Sequence, residues 1–294
     1  VAFFMESTFI AVMFFGWNKV SPRFHLAATW LTAIGASLSA LWILIANAWM
    51  QYPVGMKFDP AQMRNVMDSF TEVVFSPVAM HKFFHAVADG WVVGAVFVVG
   101  VSCWFLWKKR RRNFALSSIK VAGWVGLAGM IVTLWTGDGS AVDVARVQPM
   151  KLAAMEGLYR GGCGQSIVAA GILNPDYDGK DGSDEFICAL RIPKALSLLA
   201  THSADGFVPG INDLIDGIEL TPQGDTIWHE SYAERIAIGK QAHKALRAYD
   251  AAYAVADTAA MAKAAAELES NYKYFGYGYL DSPQEAVPPV GLTF

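Results

Sequence analysis

The chain has 294 residues, of which 54% are hydrophobic and 17% are charged, and its formal net charge is −3. This composition is apolar for a soluble domain of such length, and the near-neutral charge argues against a basic nucleic-acid-binding surface. Apolar runs fill residues 1–136, whereas the remainder holds most of the acidic residues. We therefore expect a membrane-spanning half followed by a polar half.

Four apolar runs are predicted to be transmembrane helices, because backbone polar groups in lipid must find partners within their own segment. These runs are residues 1–17, 26–50, 82–107 and 121–137. The sequence opens inside an apolar run without an initiator Met and turns apolar again near its end. We expect an internal fragment of a longer membrane protein, in which residues 286–294 begin a further transmembrane helix.

Basic residues predict the orientation of these helices. Lys19 and Arg23 separate the first two runs, and the cluster 108–112 separates the last two, whereas the connection 51–80 is less basic. The positive-inside rule places the two basic connections in the cytoplasm. Residues 138–285 then form a long extracytoplasmic segment.

The polar half is predicted to be mainly helical. Residues 148–156 are expected to form a helix, and the Gly- and Asp-rich stretch 161–184 is expected to be a loop. Further on, two stripes of apolar residues at helical spacing predict an antiparallel helix pair. The stripes are Tyr232, Ile236, Ala242, Leu246, Tyr249 and Tyr253, then Met261, Ala265, Leu268, Tyr272 and Phe275.

Single residues in this half suggest local features. Asp257 is the predicted N-cap of the second helix of the pair, and Gly276 and Gly278 are predicted to end it. Cys163 and Cys188 lie in a segment where disulfides would persist. Either they form a bridge or they are two unpaired thiols.

His85, near the start of the third apolar run, is the first candidate for chemistry. A polar group at membrane depth is costly unless it is paired or ligated, and an imidazole facing a bundle interior is a common heme ligand. One alternative is a hydrogen-bonded core histidine. His81, four residues earlier, could complete a zinc-binding pair, but no third ligand is near and an interfacial role is favoured for it.

A carboxyl group inside the first apolar run is the second candidate. Glu6, followed by Ser7, should be protonated, paired or part of a proton path, unless it lies at a helix end and reaches the headgroups. In the second run, small residues such as Gly35 and Ser39 predict close helix packing. His25 opens that run, either at headgroup level or buried.

Several of these segments, in order, resemble subunit I of the cytochrome bd quinol oxidases. They are FFMESTF (3–9), FFGW (14–17), ALWILIANAWMQ (40–51), KFFH (82–85) and QPMKLAAME (148–156). The resemblance covers the whole chain and is strongest over residues 1–156. It implies an all-α membrane protein, a transmembrane helix bundle (residues 1–137) with a long, mainly helical extracytoplasmic loop (138–285), the family's quinol loop.

The resemblance implies roles for particular residues in the bundle. His85 falls on an axial ligand of heme b558. Glu6, with Ser7, falls on a buried carboxylate beside the site of heme b595 and heme d, in a proton path from the cytoplasm. Ser39 falls on a serine of a hydrophilic channel. Other ligands of these hemes are expected outside the 294 residues.

The quinol positions depart from the family pattern. Lys240 and Gln241 fall where the family has a quinol-binding lysine, and Arg247 falls where a glutamate follows it. The outer loop also resembles the short kind found in the cyanide-insensitive branch of the family.

The resemblance further implies a quinol:oxygen oxidoreductase of the bacterial cytoplasmic (inner) membrane. Quinol would be oxidised at the outer face, and electrons would pass through heme b558 to the two-heme site that reduces oxygen to water. The expected partners are a second oxidase subunit, a small single-span subunit, quinol, oxygen and membrane lipid, with no nucleic acid. The fragment alone is not expected to be active. The alternatives are a heme-free transporter or channel bundle, with Glu6 and Ser39 lining a polar path, and a heme-b membrane anchor that does not reduce oxygen.

Overall fold

The computed structural model describes residues 2–59, 64–174, 177, 185–220 and 226–290. The chain forms two compact units, one of residues 1–56 and 67–140 and the other of residues 57–66 and 141–294. Its elements, in chain order, are α1 (Ala2–Phe15), α2 (Pro22–Gln51), β1 (Met56–Asp59), β2 (Arg64–Met67), α3 (Phe70–Val74), α4 (Pro77–Trp107), α5 (Arg112–Val147), α6 (Pro149–Met155), β3 (Gly162–Cys163), β4 (Ile167–Leu173), β5 (Phe186–Ile192), α7 (Ala195–Thr201), β6 (Phe207–Val208), α8 (Ile211–Asp216), β7 (Ile218–Leu220), β8 (Thr226–Trp228), α9 (Tyr232–Ala254), α10 (Thr258–Asn271) and two 3-10 helices, Tyr272–Tyr279 and Pro283–Ala286.

Three helices of the described chain are long and apolar enough to cross a membrane, namely α2, α4 and α5. Helix α1 is also apolar, and its described part has 14 residues. Helix α5 has 36 residues and is therefore about 54 Å long, whereas the sequence predicted a span of residues 121–137. Hydropathy marks only the apolar middle of that helix. The predicted boundary at residue 137 falls inside α5, and the division into membrane and extracytoplasmic parts stays a prediction.

The helices of the first unit begin and turn where local chemistry dictates. Ser21 caps α2, its hydroxyl accepting a hydrogen bond from the Phe24 N–H at 3.3 Å. Between α4 and α5 the chain turns within residues 108–111, and Lys109 and Arg111 take positive φ angles of 53° and 45°. The basic connection is therefore a tight turn. Lys120, which lies between the third and fourth apolar runs of the sequence, is part of α5.

Small residues mediate the packing of α4 against α5. A Cβ atom added at Gly126 would lie 2.9 Å from the Cβ atom of Ala95, and one added at Gly129 would lie 3.0 Å from the carbonyl oxygen of Ala88. Large aromatic side chains face outward instead, and Trp124 is 75% exposed. Small residues between helices and apolar residues around them are typical of helices that pack in lipid.

The second unit contains short strands that the sequence reasoning did not predict. Strands β4 and β5 pair antiparallel, with Gly171 opposite Ala189, and β3 pairs with β6. The prediction of a loop over residues 161–184 is therefore wrong for β3 and β4, where the β-branched residues of β4 favour an extended strand. Residues 175–176 and 178–184 of that stretch lie outside the described residues.

Helices α9 and α10 form the predicted pair. The side chain of Asp257 accepts hydrogen bonds from the N–H groups of Ala259 and Ala260 at 3.1 and 3.0 Å, which confirms it as the N-cap of α10. Ala242, Ala245 and Leu268 are buried together in their shared core. The first stripe is wrong at its end, where Tyr253 is 63% exposed.

The predicted ends of the second helix and the open question on the cysteines are both resolved. Helix α10 ends at Asn271 and continues as a 3-10 helix through Gly276 and Gly278, so neither glycine ends it. Cys163 and Cys188 are free, exposed thiols. Of the two alternatives for this pair, the structure therefore has the unpaired thiols.

Candidate functional site

His85 lies on α4 with its imidazole against α5. Its Nδ1 atom is 3.2 Å from the hydroxyl oxygen of Thr136. That hydroxyl donates its own hydrogen to the carbonyl oxygen of Val132 at 2.8 Å, so its oxygen accepts the hydrogen bond from the ring. Nδ1 therefore carries a hydrogen, and in the neutral ring this tautomer leaves the lone pair on Nε2.

Two glycines of α5 make room for the histidines of α4. A Cβ atom at Gly137 would lie 3.3 Å from Cε1 and 3.6 Å from Nδ1 of His85. At Gly139 it would lie 2.8 Å from Cε1 and from Nε2 of His81. The close approach of α5 to α4 thus holds both imidazoles in place.

The start of α4 is anchored on α2, which fixes the end of the helix that carries His85. Lys82 donates a hydrogen bond from Nζ to Oδ1 of Asn47 at 3.0 Å. Ile45, Ala48 and Ala79 are buried in one apolar cluster beside it.

The donor set around His85 fits one axial position of a heme. Within residues 2–59, 64–174, 177, 185–220 and 226–290, no group of three or more His, Cys, Asp or Glu side chains is placed to hold a metal ion. That finding gives no support to the zinc alternative for His81 and His85, since structural zinc requires four ligands. A single imidazole with a free Nε2 and an oriented Nδ1–H is the donor that heme iron takes at an axial position.

Glu6 lies half-buried on α1, where the α1 backbone lies close to Gly35 of α2. A Cβ atom at Gly35 would lie 2.9 Å from the backbone nitrogen of Glu6, which confirms the predicted close packing at Gly35. Ser39 follows one turn later on α2 and is half-buried, whereas Ser7 is exposed. The helix pair therefore brings Glu6 against Gly35, and Ser39 lies on the same face of α2 as Gly35, whereas Ser7 is exposed.

His25, in the first turn of α2, contacts α1. Its Nε2 atom donates a hydrogen bond to the carbonyl oxygen of Met13 at 2.9 Å, and its ring centre lies 4.5 Å from that of Trp17. Because the ring is committed to these contacts, we assign His25 a structural role.

In the second unit, the predicted quinol residues line one cavity of about 460 Å³. Its lining residues are Ala237, Lys240, Gln241, His243, Lys244, Arg247 and Gly278. Sequence reasoning missed His243, Lys244 and Gly278. The signal for the two basic residues was their spacing of three and four from Lys240, which places them on one side of α9.

Two contacts shape this cavity. His243 donates a hydrogen bond from Nε2 to the carbonyl oxygen of Phe275 at 3.1 Å, which holds α9 on the 3-10 helix. The Nζ atom of Lys240 lies 3.8 Å from Oδ1 of Asp281, and both side chains are largely exposed. An exposed ion pair at that distance is weak, so the ammonium of Lys240 remains available to a ligand.

The whole chain matches a known family. The family model described as cytochrome bd terminal oxidase subunit I matches residues 1–294. Among curated relatives, cytochrome bd-II ubiquinol oxidase subunit 1 of Escherichia coli (strain K12) is 46% identical over 215 residues. Cytochrome bd ubiquinol oxidase subunit 1 of Bacillus subtilis (strain 168) is 36% identical over 215 residues.

These matches cover 73% of this chain but 41% and 44% of the two relatives, so the matched region is less than half of their length. Among solved structures, a bd oxidase from Geobacillus thermodenitrificans aligns with a TM-score of 0.59 at 22% identity. That alignment covers 95% of this chain and 63% of the other. At this identity the structural match supports the fold alone.

Proposed function

This chain belongs to the cytochrome bd terminal oxidase subunit I family, and from that premise we propose that it is a quinol-oxidising, heme-binding part of a respiratory terminal oxidase. The whole enzyme would be a quinol:oxygen oxidoreductase of the bacterial cytoplasmic membrane. Its partners would be a second oxidase subunit and a small single-span subunit. The main support is the imidazole of His85, whose Nδ1–H donates a hydrogen bond to Thr136. In the neutral ring this tautomer leaves the Nε2 lone pair for iron.

We propose His85 as one axial ligand of heme b558, which supplies one-electron transfer when bound. The protein's part is to hold the ring. Thr136 accepts a hydrogen bond from Nδ1–H, and Gly137 leaves space beside Cε1. Hemes b595 and d would occupy a second site that this chain provides only in part. Near that site the Glu6 carboxyl would hold and pass a proton, with Ser39 offering a hydroxyl along the same polar path.

The second-unit cavity is the proposed quinol site. Lys240 provides a cationic donor, and Gln241 provides an amide donor and acceptor for the two ring oxygens of a quinol. Arg247 stands where the family has a glutamate, so proton release from quinol here would go to water or another group rather than to a carboxylate at that position. Electrons leaving quinol would pass to the heme that His85 would hold.

The proposed orientation follows from the basic turn at residues 108–111. With that turn in the cytoplasm, the opposite end of α4, where His85 lies, is at the outer face. The second unit would then be extracytoplasmic, on the side where quinol is oxidised and its protons are released.

Loss of a low-spin heme signal in a His85 variant tests the proposal. In the full-length protein with its partner subunits, His85→Ala should abolish the low-spin b component of the reduced-minus-oxidised spectrum while the other heme bands remain. His81→Ala is the matched control, because it removes an imidazole one turn earlier on the same helix and should keep that band. A low-spin band that survives in His85→Ala would exclude His85 as the ligand. An absence of any heme band in the wild-type complex would favour the transporter alternative.

A further inference from the structure

We propose that Thr136 is the positioning residue for His85. Its hydroxyl oxygen accepts a hydrogen bond from Nδ1–H, which fixes the tautomer and the rotation of the ring and would leave Nε2 to hold the iron. This inference rests on the proposed role of His85 as a heme ligand, and it adds a residue on a second helix to that site.

The hydroxyl of Thr136 can act only as a hydrogen-bond acceptor towards His85. Its hydrogen is committed to the carbonyl oxygen of Val132 at 2.8 Å, with a longer contact of 3.4 Å to that of Thr133. Only a lone pair of its oxygen remains for the imidazole, 3.2 Å away. The ring must therefore present an N–H at Nδ1, since a bare Nδ1 would face another acceptor.

Burial makes this hydrogen bond selective. Thr136 is 4% exposed, so water does not compete for its oxygen, and a hydrogen bond in an apolar helix pair is stronger than one at an exposed surface. Turning the ring over would take Nδ1–H away from this acceptor, so the hydrogen bond to Thr136 would be lost.

The backbone of α5 enforces the same ring position. Gly126 and Gly129 bring α5 close to α4, and the residue after Thr136 is Gly137, where a Cβ atom would press on Cε1 of His85 at 3.3 Å. The ring thus lies between a hydroxyl acceptor and a glycine on consecutive residues of one helix. Thr136 orients the imidazole through its hydrogen bond, and Gly137 leaves space for the ring because it has no side chain.

An acceptor on Nδ1–H has a known effect on a metal-ligating histidine. It orients the ring and raises the basicity of the other nitrogen, and its loss typically weakens metal binding by about 10- to 100-fold. A more basic ligand favours the oxidised iron. We therefore expect loss of the Thr136 hydroxyl to raise the midpoint potential of the low-spin heme and to speed its dissociation about 10-fold.

The experiment compares three variants of the full-length oxidase complex. Thr136→Val removes the hydroxyl but keeps the branched shape, and Thr136→Ser keeps the hydroxyl. Thr133→Val is the matched control, because the Thr133 hydroxyl is buried one turn earlier on α5 and has no hydrogen-bond partner among the described residues. The readouts are the low-spin band, its midpoint potential in a redox titration and the rate of heme b loss.

Thr136→Val should retain the low-spin band with a raised potential and faster heme loss, whereas Thr136→Ser and Thr133→Val should match the wild type. Wild-type behaviour of Thr136→Val would overturn the inference, as would an equal shift in Thr133→Val. If Thr136→Val does not assemble, the comparison of Thr136→Ala with Thr136→Ser isolates the hydroxyl and decides in the same way. If His85→Ala keeps the low-spin band, the proposed function itself fails. If His85→Ala loses that band while Thr136→Val is unchanged, only the inference fails.

Discussion

Glu156 shows how one carboxyl group outside the membrane helices is affected by its surroundings. It lies at the end of α6, and one of its oxygens, Oε2, is buried and unpartnered among the described residues. Burial raises the pKa of Glu156 above its usual value, while a hydrogen bond from the Val168 backbone lowers it by a smaller amount. The folded state thus favours the protonated form.

The pH dependence of amide protection in α6 should reveal the raised pKa of Glu156. A carboxyl whose pKa is raised on folding stabilises the fold fully below its unfolded pKa, and this contribution is lost as the pH rises through the folded pKa. Glu156→Gln keeps an oxygen for the Val168 N–H and cannot ionise, so it should protect α6 amides better than wild type at neutral pH. Below pH 4.5, the ordinary pKa of the group, the two proteins should converge.

Amide hydrogen exchange across a pH series, corrected for intrinsic rates, measures this difference. Glu269→Gln is the control, because Glu269 is exposed on α10, and it should leave α6 unchanged. Equal protection of α6 in wild type and Glu156→Gln at neutral pH would contradict the prediction.

The sequence was sufficient to single out His85 as a candidate but not to identify its neighbours. A histidine beside an uncharged run stands out because polar groups are rare at membrane depth. Thr136 is 51 residues away, and its contact with His85 depends on the rotation of two helices about their axes. No local pattern encodes that rotation, and a threonine within an apolar run is an ordinary residue.

Helix α9 illustrates what a single element reveals in sequence and what it does not. Its N-terminus is readable, because Ser231 and Glu234 form a capping box in which Glu234 accepts from the Ser231 N–H at 2.8 Å. The role of Gly278 was not readable. A glycine after a helix usually signals its end, but this one lies against the backbone of Gly239, on a helix nearly 40 residues earlier.

Two glycine substitutions test whether the close backbone contact between Gly239 and Gly278 matters for stability. A Cβ atom at Gly239 would meet the backbone of Tyr274 and Gly278, whereas at Gly276 it would have no neighbour within 4 Å. Gly239→Ala should therefore destabilise α9 and the 3-10 helix by about 1–3 kcal/mol, as other overpacked sites do. Gly276→Ala should have little effect.

Hydrogen exchange of the α9 amides in the intact protein measures both variants. Similar protection in Gly239→Ala and wild type would show that the backbone contact is not as close as the structure has it. A large loss of protection in Gly276→Ala would instead mean that a side chain at residue 276 is not free of neighbours.

The two units differ in how far the sequence specified them. The apolar runs predicted the helices of the first unit because lipid forces the backbone to pair within each segment. The second unit has strands as short as β3, with 2 residues, and these depend on partners distant in sequence. Its cavity also combines residues of α9 with Gly278, so the sequence could predict Lys240 and Gln241 but not the open cavity that they line.

The two proposed sites should respond separately to mutation, because the residues of each lie within one unit. A charge-assisted hydrogen bond contributes about 1.5–3 kcal/mol and a neutral one about 1 kcal/mol. Lys240→Ala should therefore raise the KM for quinol roughly 10-fold or more, and Gln241→Ala about 5-fold, with the low-spin heme spectrum unchanged. Lys263→Ala removes an exposed lysine of α10 that does not line the cavity, so its KM should equal that of wild type.

Steady-state oxygen consumption against quinol concentration provides the test. An unchanged KM in both cavity variants would move the quinol site elsewhere, whereas a lost heme band in either would mean that the second unit also supports the heme.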